Sequence, residues 1–330
     1  MAELLLLPDP DLASAPERVL ERGLARHLGR PVRIVDAVRK PLGTFSSHPI
    51  SRLSVHLDDG EQLPVIFKRL RSEAGKDVRR EVLLYERLLA GGRFGAPVLY
   101  ASLCDDAAGR YWLFLEDVGN RRLDWCDAHD WEPAFRWLAR MHAACHGQAE
   151  QLSRLGCLSD HGPGFYRALA GAARRSLEAY GEPGALLRFD GLMQRWLSRS
   201  VAYLDHQPRT LVHGDFSCHN VMVARDGRVR PIDWEWAAIG VAAWDVAKLL
   251  AGWGARRPRF LAAYADEFGR HTGERLDRDE FAAAVAHARV MHKLWYLRWW
   301  IEPCRDPVFV DRLLGKMEHT WRLLDDGASR

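Results

Sequence analysis

LVHGDFSCHNVMVARDGRVRPIDWEW, residues 211–236, crowds two histidines, an aspartate and an asparagine into one short loop and ends on a further aspartate, Asp233. The runs NVMV and RVRPI have strand character, and Asp226-Gly227 between them suits a two-residue hairpin turn. A hairpin folds its second strand back along the first, so Asp233 is expected near Asn220. Asp215, Asn220 and Asp233 can then converge on one point. Carboxylate and amide oxygens suit a hard cation such as Mg²⁺, whereas zinc prefers nitrogen and sulfur. Two other readings compete. His213, Asp215 and His219 could hold zinc, although two histidines without a third His, Cys or spaced partner make a poor set. Asp215 and Asn220 could also do no more than bond loop amides, the usual fate of such residues in turns.

The rest of the chain sets limits. Its 330 residues exceed one small core and suggest two lobes. With 48% hydrophobic and 28% charged residues, the composition is that of an ordinary soluble globular protein. A net charge of +3 and short, interrupted basic stretches argue against a nucleic-acid partner. The start MAELLLLPDPDL has four leucines before Pro8 and no basic segment ahead of them, so neither a signal peptide nor a membrane span is expected. Six scattered cysteines without a C-x-x-C pair read as reduced thiols, and a cytoplasmic location is the expectation.

Along the chain, RLSVHL and LPVIFKRL read as strands joined at Asp59-Gly60. A helix is predicted from about Lys76 to Leu89, with Val78, Val82, Tyr85 and Leu89 on one stripe. Glu81 falls within that stripe and needs a cationic partner. Lys68 lies on the strand face it shares with Ile66 and Leu70, an unusual place for a surface charge. The two needs answer each other. YWLFLEDVGN is an apolar strand that stops at Glu116-Asp117, and helices dominate afterwards. Asp130 is the expected N-cap of WEPAFRWLARMHAACHG, whose Trp131, Phe135, Leu138, His142 and Cys145 form a core face. Further helices are expected over about 185–206 and in two or three stretches after 243.

The order H-x-D-x-x-x-x-N, hairpin, Asp matches that of the protein-kinase catalytic loop and its metal-binding aspartate. HGDFSCHN followed by IDWE resembles the aminoglycoside phosphotransferase and choline kinase superfamily of small-molecule kinases. The HGD form and the continuation IDWEWAAIGVAAWDVAKLL look closest to the aminoglycoside phosphotransferase branch. The resemblance extends over about residues 30–300 and is most specific over 211–250. It implies an α+β, bilobal, protein-kinase-like fold. Residues 1–117 would form a β-rich nucleotide-binding lobe with one main helix, and 118–330 a mostly helical catalytic and acceptor-binding lobe.

Residue by residue, the resemblance implies that Asp215 orients the acceptor hydroxyl and takes its proton, while Asn220 and Asp233 hold Mg²⁺. His213 and Asp245 would be structural. Lys68 would hold phosphate, paired with Glu81. PLGTFSSHPISRL (41–53) takes the place of the phosphate-covering loop; it has Gly43 alone, so Ser46 and Ser47 are the candidates for phosphate contact. Glu116 to Val118 would be the hinge whose backbone bonds adenine. Glu235, Trp295 and Trp299 are candidates on the acceptor side, where a tryptophan could stack on a sugar or hold a cation, or only pack.

The implied activity is transfer of the γ-phosphate of ATP or GTP to a hydroxyl of an aminoglycoside, sugar or amino alcohol, with antibiotic resistance as one such role. The protein would act as a monomer or homodimer. A non-catalytic nucleotide-binding regulator of the same fold is the alternative. A protein kinase fits less well, because Trp234-Glu235 replaces the F-G of D-F-G and no A-P-E segment follows.

Overall fold

In the computed structural model of the chain, residues 15–43, 48–71, 77–304 and 306–328 are described. They divide into two compact units: one runs to Asn120 and includes Arg230–Ile232, and the other holds the remainder.

In the first unit, helix α1 (Ala15–Leu28) precedes five strands: β1 (Ile34–Pro41), β2 (Ile50–Leu57), β3 (Gln62–Leu70), β4 (Leu99–Asp105) and β5 (Arg110–Glu116). They form one antiparallel sheet in the order β1-β2-β3-β5-β4. The Asp59-Gly60 turn is present, with Gly60 at φ 87° and its amide bonded to the Leu57 carbonyl at 3.0 Å. One face of the sheet buries Val55, Val65, Phe67 and Phe114 against Val19, Leu20 and Leu24 of α1. This helix is absent from the strand-and-one-helix expectation. It comes close to β4 at Gly23, where a Cβ would stand 2.2 Å from the Tyr100 carbonyl oxygen.

The expected helix after β3 is α2 (Arg79–Arg87), shorter than the sequence predicts. Its expected start at Lys76 lies outside the described residues. The Asp77 carboxylate accepts the Arg79 amide at 3.1 Å, which satisfies a free donor of the first turn. Glu81, Val82, Leu84 and Tyr85 are buried, so the acid does face inward with the apolar stripe.

The second unit contains α3 (Ala128–Ala144), α4 (Ala149–Ser153), β6 (Ser159–Asp160), α5 (Pro163–Tyr180), α6 (Pro183–Asp205) and β7 (Arg209–Val212). A hairpin of β8 (Val221–Val223) and β9 (Val229–Pro231) follows, and then β10 (Ala238–Val241). Four helices complete it: α7 (Ala243–Leu249), α8 (Arg257–Thr272), α9 (Arg278–Cys304) and α10 (Pro307–Ala328). That is one more than the two or three expected after 243. β10 pairs antiparallel with β7 and parallel with β6.

The N-cap expectation at Asp130 is corrected. Helix α3 starts from Asp127, whose carbonyl accepts the Asp130 amide at 3.0 Å. Asp130 sits in the first turn, where its carboxylate takes Arg121 at 2.9 Å. The core face is as the spacing predicts, with Trp131, Phe135, Leu138, His142 and Cys145 all buried. Phe135 stacks on Phe260 of α8 with ring centroids 4.8 Å apart. Among the described residues no helix is long and apolar enough to cross a membrane.

Candidate active site

Strand β7 delivers the chain to His213-Gly214-Asp215, and a single carboxylate fixes how the backbone leaves it. Asp245, in the first turn of α7, is fully buried and accepts the His213 amide at 2.6 Å and the Gly214 amide at 3.0 Å. Its Oδ2 also lies 3.3 Å from His142 Nε2, whose Nδ1 is 2.8 Å from the Tyr264 hydroxyl. Burying this charge is tolerable because every contact brings a donor or a polar ring. Gly214 has φ 84°, and a Cβ there would stand 2.0 Å from the Trp236 carbonyl oxygen. The Trp244 indole N–H bonds the Gly214 carbonyl at 2.8 Å. The His213 ring packs on Trp234, with centroids 4.5 Å apart. The Asp245 carboxylate thus ties down the backbone of His213 and Gly214. His219 is at the surface beside Asp124, Nδ1 to Oδ2 3.1 Å, away from any cation-binding arrangement.

Asp215 projects from this loop with both oxygens engaged. The Asn220 side-chain amide donates to the Asp215 backbone oxygen at 3.0 Å and to its Oδ2 at 3.1 Å. Both bonds use Nδ2, so Asn220 Oδ1 is the atom of that side chain able to face a cation. Asp215 Oδ1 pairs with the Lys248 ammonium at 2.8 Å. Lys248, on α7 three residues after Asp245, is 10% exposed. Burial works against its charged form, but the Asp215 carboxylate and the Tyr296 phenol outweigh burial and raise its pKa above the ordinary lysine value. The sequence reading missed Lys248. The available signal is akin to the one that marks Lys68 and Glu81: charges set in an apolar run, here Asp245 and Lys248 in AAWDVAKLLAGW.

The predicted hairpin is present. Gly227 has φ 81°, and the Ala224 amide bonds the Arg228 carbonyl at 2.9 Å. Asp233 follows the second strand in the left-handed region, φ 62° and ψ 62°. It shares positive φ with just one other non-glycine among the described residues, Phe94. Such a conformation costs about 1–3 kcal/mol and persists where surrounding structure imposes it, often at functional sites. Amide and carboxylate oxygens from Asn220 and Asp233 form the donor type that Mg²⁺ prefers.

On the first unit, Lys68 and Glu81 are each 4% exposed, and the ammonium donates to both carboxylate oxygens at 2.8 Å. The mutual need read from the sequence is met by contact. Glu116 has a further role that the hinge expectation lacks. Its carboxylate forms a two-point ion pair with Arg230 and accepts the Val98 amide at 3.1 Å, while its own amide is committed to the Val98 carbonyl at 2.8 Å. Val118 lies just past the end of β5, between Asp117, which pairs with Arg52, and Gly119. Ser46 and Ser47 lie outside the described residues.

The acceptor-side candidates separate by exposure. Trp295 is 8% exposed and packs edge-on against Trp236 with centroids 4.7 Å apart, whereas Trp299 is 38% exposed and carries the Arg298 guanidinium 4.6 Å above its ring. Trp299 therefore keeps an open surface. Glu235 is half-buried in the short turn that follows Asp233.

Residues 45–282 match the model of the phosphotransferase enzyme family. No curated protein sequence matches the chain. Among solved structures, the fold is similar to that of aminoglycoside phosphotransferase APH(3'')-Id from Streptomyces rimosus, in complex with ADP and streptomycin. The identity is 20% and the TM-score 0.52, covering 84% of this chain and 97% of that one. A mutant aminoglycoside 2'-phosphotransferase-IIIa in its GDP complex is 16% identical with a TM-score of 0.57, covering 94% and 98%. The choline kinase LicA from Streptococcus pneumoniae is 12% identical with a TM-score of 0.51, covering 95% and 100%. At these identities the likeness concerns the fold.

Proposed function

We propose that this chain, which belongs to the phosphotransferase enzyme family, moves the γ-phosphate of ATP or GTP to a hydroxyl of a small molecule. The observation that carries this reading is Asp215, held at Oδ2 by Asn220 and at Oδ1 by Lys248 on a loop whose amides are locked to Asp245. Oδ1 is buried against Lys248, but the Asp215 side chain is 26% exposed, so an acceptor hydroxyl can bond at the second lone-pair direction of Oδ2. As that hydroxyl oxygen forms its bond to the γ-phosphorus, the bond to the β-phosphate oxygen breaks. The hydroxyl proton passes to Asp215, and a nucleoside diphosphate leaves. Lys248, 2.8 Å from Oδ1, orients the carboxylate before transfer.

Asn220 and Asp233 would hold Mg²⁺, which when bound would supply positive charge to the transferring phosphoryl group. Lys68, positioned by Glu81, would hold phosphate oxygens. Glu116 to Val118 would supply backbone groups to the base. A hydroxylated small molecule is the acceptor class, whether aminoglycoside, sugar or amino alcohol, and the setting is cytoplasmic.

The test is consumption of ATP and of GTP, with and without Mg²⁺, across a panel of such acceptors, with the product read as a mass gain of one phosphoryl group. Transfer that needs Mg²⁺ is expected. Nucleotide binding without transfer to any acceptor would overturn the enzyme reading and leave a regulator of the same fold.

A second test concerns Lys68. Lys68→Met removes the phosphate-holding cation and leaves Glu81 buried without its pair. Nucleotide affinity is expected to fall about 10- to 100-fold, the loss of one or two charge-assisted bonds. Calorimetric titration with ADP checks this, and an affinity within twofold of the parent would remove Lys68 from the nucleotide site.

A further inference from the structure

Helices α8, α9 and α10 of the second unit border an open pocket of ≈280 Å³ lined by Arg257, Arg289, His319, Thr320, three alanines and two leucines. No aspartate or glutamate lines it. Around it the cations accumulate. Arg289 has its pKa lowered by burial and by the charge of Arg257. Lys293, one helical turn further along α9, is pushed down to about 8 by burial and by Arg289, Lys316, Lys248 and Arg257. All four of those neighbours are cations. Arg257 Nε is buried and has no hydrogen-bond partner among the described residues. Arg257 is also the first residue of α8, so the positive end of a 16-residue helix, without an acid in its first turn, adds to the field.

Several acids of the surrounding helices are engaged elsewhere, while Asp279 of α9 and Asp326 of α10 are exposed. On α10, Asp311 and Glu318 pair with Arg188, and Asp325 takes Arg199 and the Trp196 indole. On α8, Asp266 pairs with Arg278, and Glu267 with Arg140 and Arg270. Arg259, two residues from Arg257, shows the ordinary arrangement, paired to Glu132 at 2.9 Å. Arg257, Arg289, Lys293 and Lys316 form no ion pair among the described residues. Arg257, Arg289 and Lys293 are partly buried and Lys316 is exposed; partly buried like charges without counter-charge destabilise a fold. That cost falls away when an anion enters.

We propose that this pocket is a binding site for a small anion bearing carboxylate or phosphate groups, gripped by Arg257 and Arg289 with Lys293, Lys316 and His319 around it. The guanidinium forks match the geometry of such groups. Arg289, Lys293 and Tyr296 share one face of α9 at i, i+4 and i+7, and the Tyr296 ring has Lys248 at 5.1 Å and Lys293 at 5.5 Å. The cationic row therefore leads from the pocket to the lysine that holds Asp215. The site exists whether or not Asp215 transfers phosphate.

The experiment titrates the full chain with citrate and with inorganic phosphate at constant ionic strength, read by calorimetry and by melting temperature. Citrate is expected to bind and to raise the melting temperature of the parent protein. Arg257→Gln and Arg289→Gln each weaken citrate binding at least tenfold, while Arg259→Gln, at an exposed arginine of α8 that pairs with Glu132 and does not line the pocket, leaves it unchanged. Without any added anion the two arginine variants melt at or above the parent temperature, because a repulsion has been removed; an arginine that only supported the fold would lower it. Citrate affinity unchanged in both arginine variants, or absent in the parent, would overturn the site. In the transfer assay, citrate competing with the acceptor identifies the occupant as the acceptor's own acid group. Inhibition or activation without competition identifies a separate ligand.

Discussion

Asp215→Asn is expected to lower kcat by about 10³- to 10⁴-fold while leaving the affinity for ADP within a fewfold of the parent. The size follows from removing a positioned general base together with the orientation it gives the hydroxyl. The separation of effects follows from where the groups lie: the proposed phosphate-holding pair is Lys68 and Glu81, with its own two bonds of 2.8 Å. Asparagine keeps the volume and an oxygen that could still accept from Asn220. It cannot take a proton, and it no longer offsets the Lys248 charge. A second readout comes from that lysine, whose raised pKa depends on Asp215. A raised pKa stabilises the fold fully below the unfolded lysine value of about 10.4 and less as pH climbs through the folded value. The Lys248 share of the stability difference between parent and variant is therefore constant from pH 6 to 9 and shrinks above about 10.4. A kcat within tenfold of the parent would show that another group accepts the proton.

What could be read from the chain is what local chemistry specifies. The hairpin was legible because Asp226-Gly227 states its own turn, and Gly227 does take positive φ. Lys68 and Glu81 were legible because each is a charge on an apolar face, and such charges seek each other. The same rule would have flagged Lys248, but the attention that Asp245 drew as a helix opener hid the lysine one turn on. Other features depend on contacts far apart in the chain. The pairing of Arg230 with Glu116 joins residues 114 positions apart. The approach of Gly214 to the Trp236 carbonyl follows from how β7 and β10 align, and no local pattern reports it. The start of α3 fell between two aspartates of equal capping preference, and the Arg121 contact claimed Asp130 for another purpose. Hydrophobic spacing separates a helix from a strand, but it does not choose between equivalent caps.

Asp245→Ala tests the brace and not the chemistry, and its expected result is a loss of about 3–5 kcal/mol of unfolding free energy. Two backbone amides, those of His213 and Gly214, lose their acceptor in a fully buried setting, and His142 loses its carboxylate neighbour. Each unpaired buried donor costs about 1–3 kcal/mol, and the cavity adds to this, while relief from burying a charge gives some back. Asp245→Asn retains one acceptor oxygen and is expected to recover part of the loss. It does not recover all, because its NH₂ turns a donor toward the second amide. Urea denaturation followed by tryptophan fluorescence reads this directly, since Trp234 and Trp244 pack beside the loop. Activity should fall with loop order and not with nucleotide affinity. Catalysis needs Asp215 held to within a fraction of an ångström, and the Asp245 bonds fix the two residues before it. A stability within 1 kcal/mol of the parent would mean that other contacts hold His213 and Gly214. The Gly214 carbonyl, already tied to the Trp244 indole at 2.8 Å, would be the first of them to test.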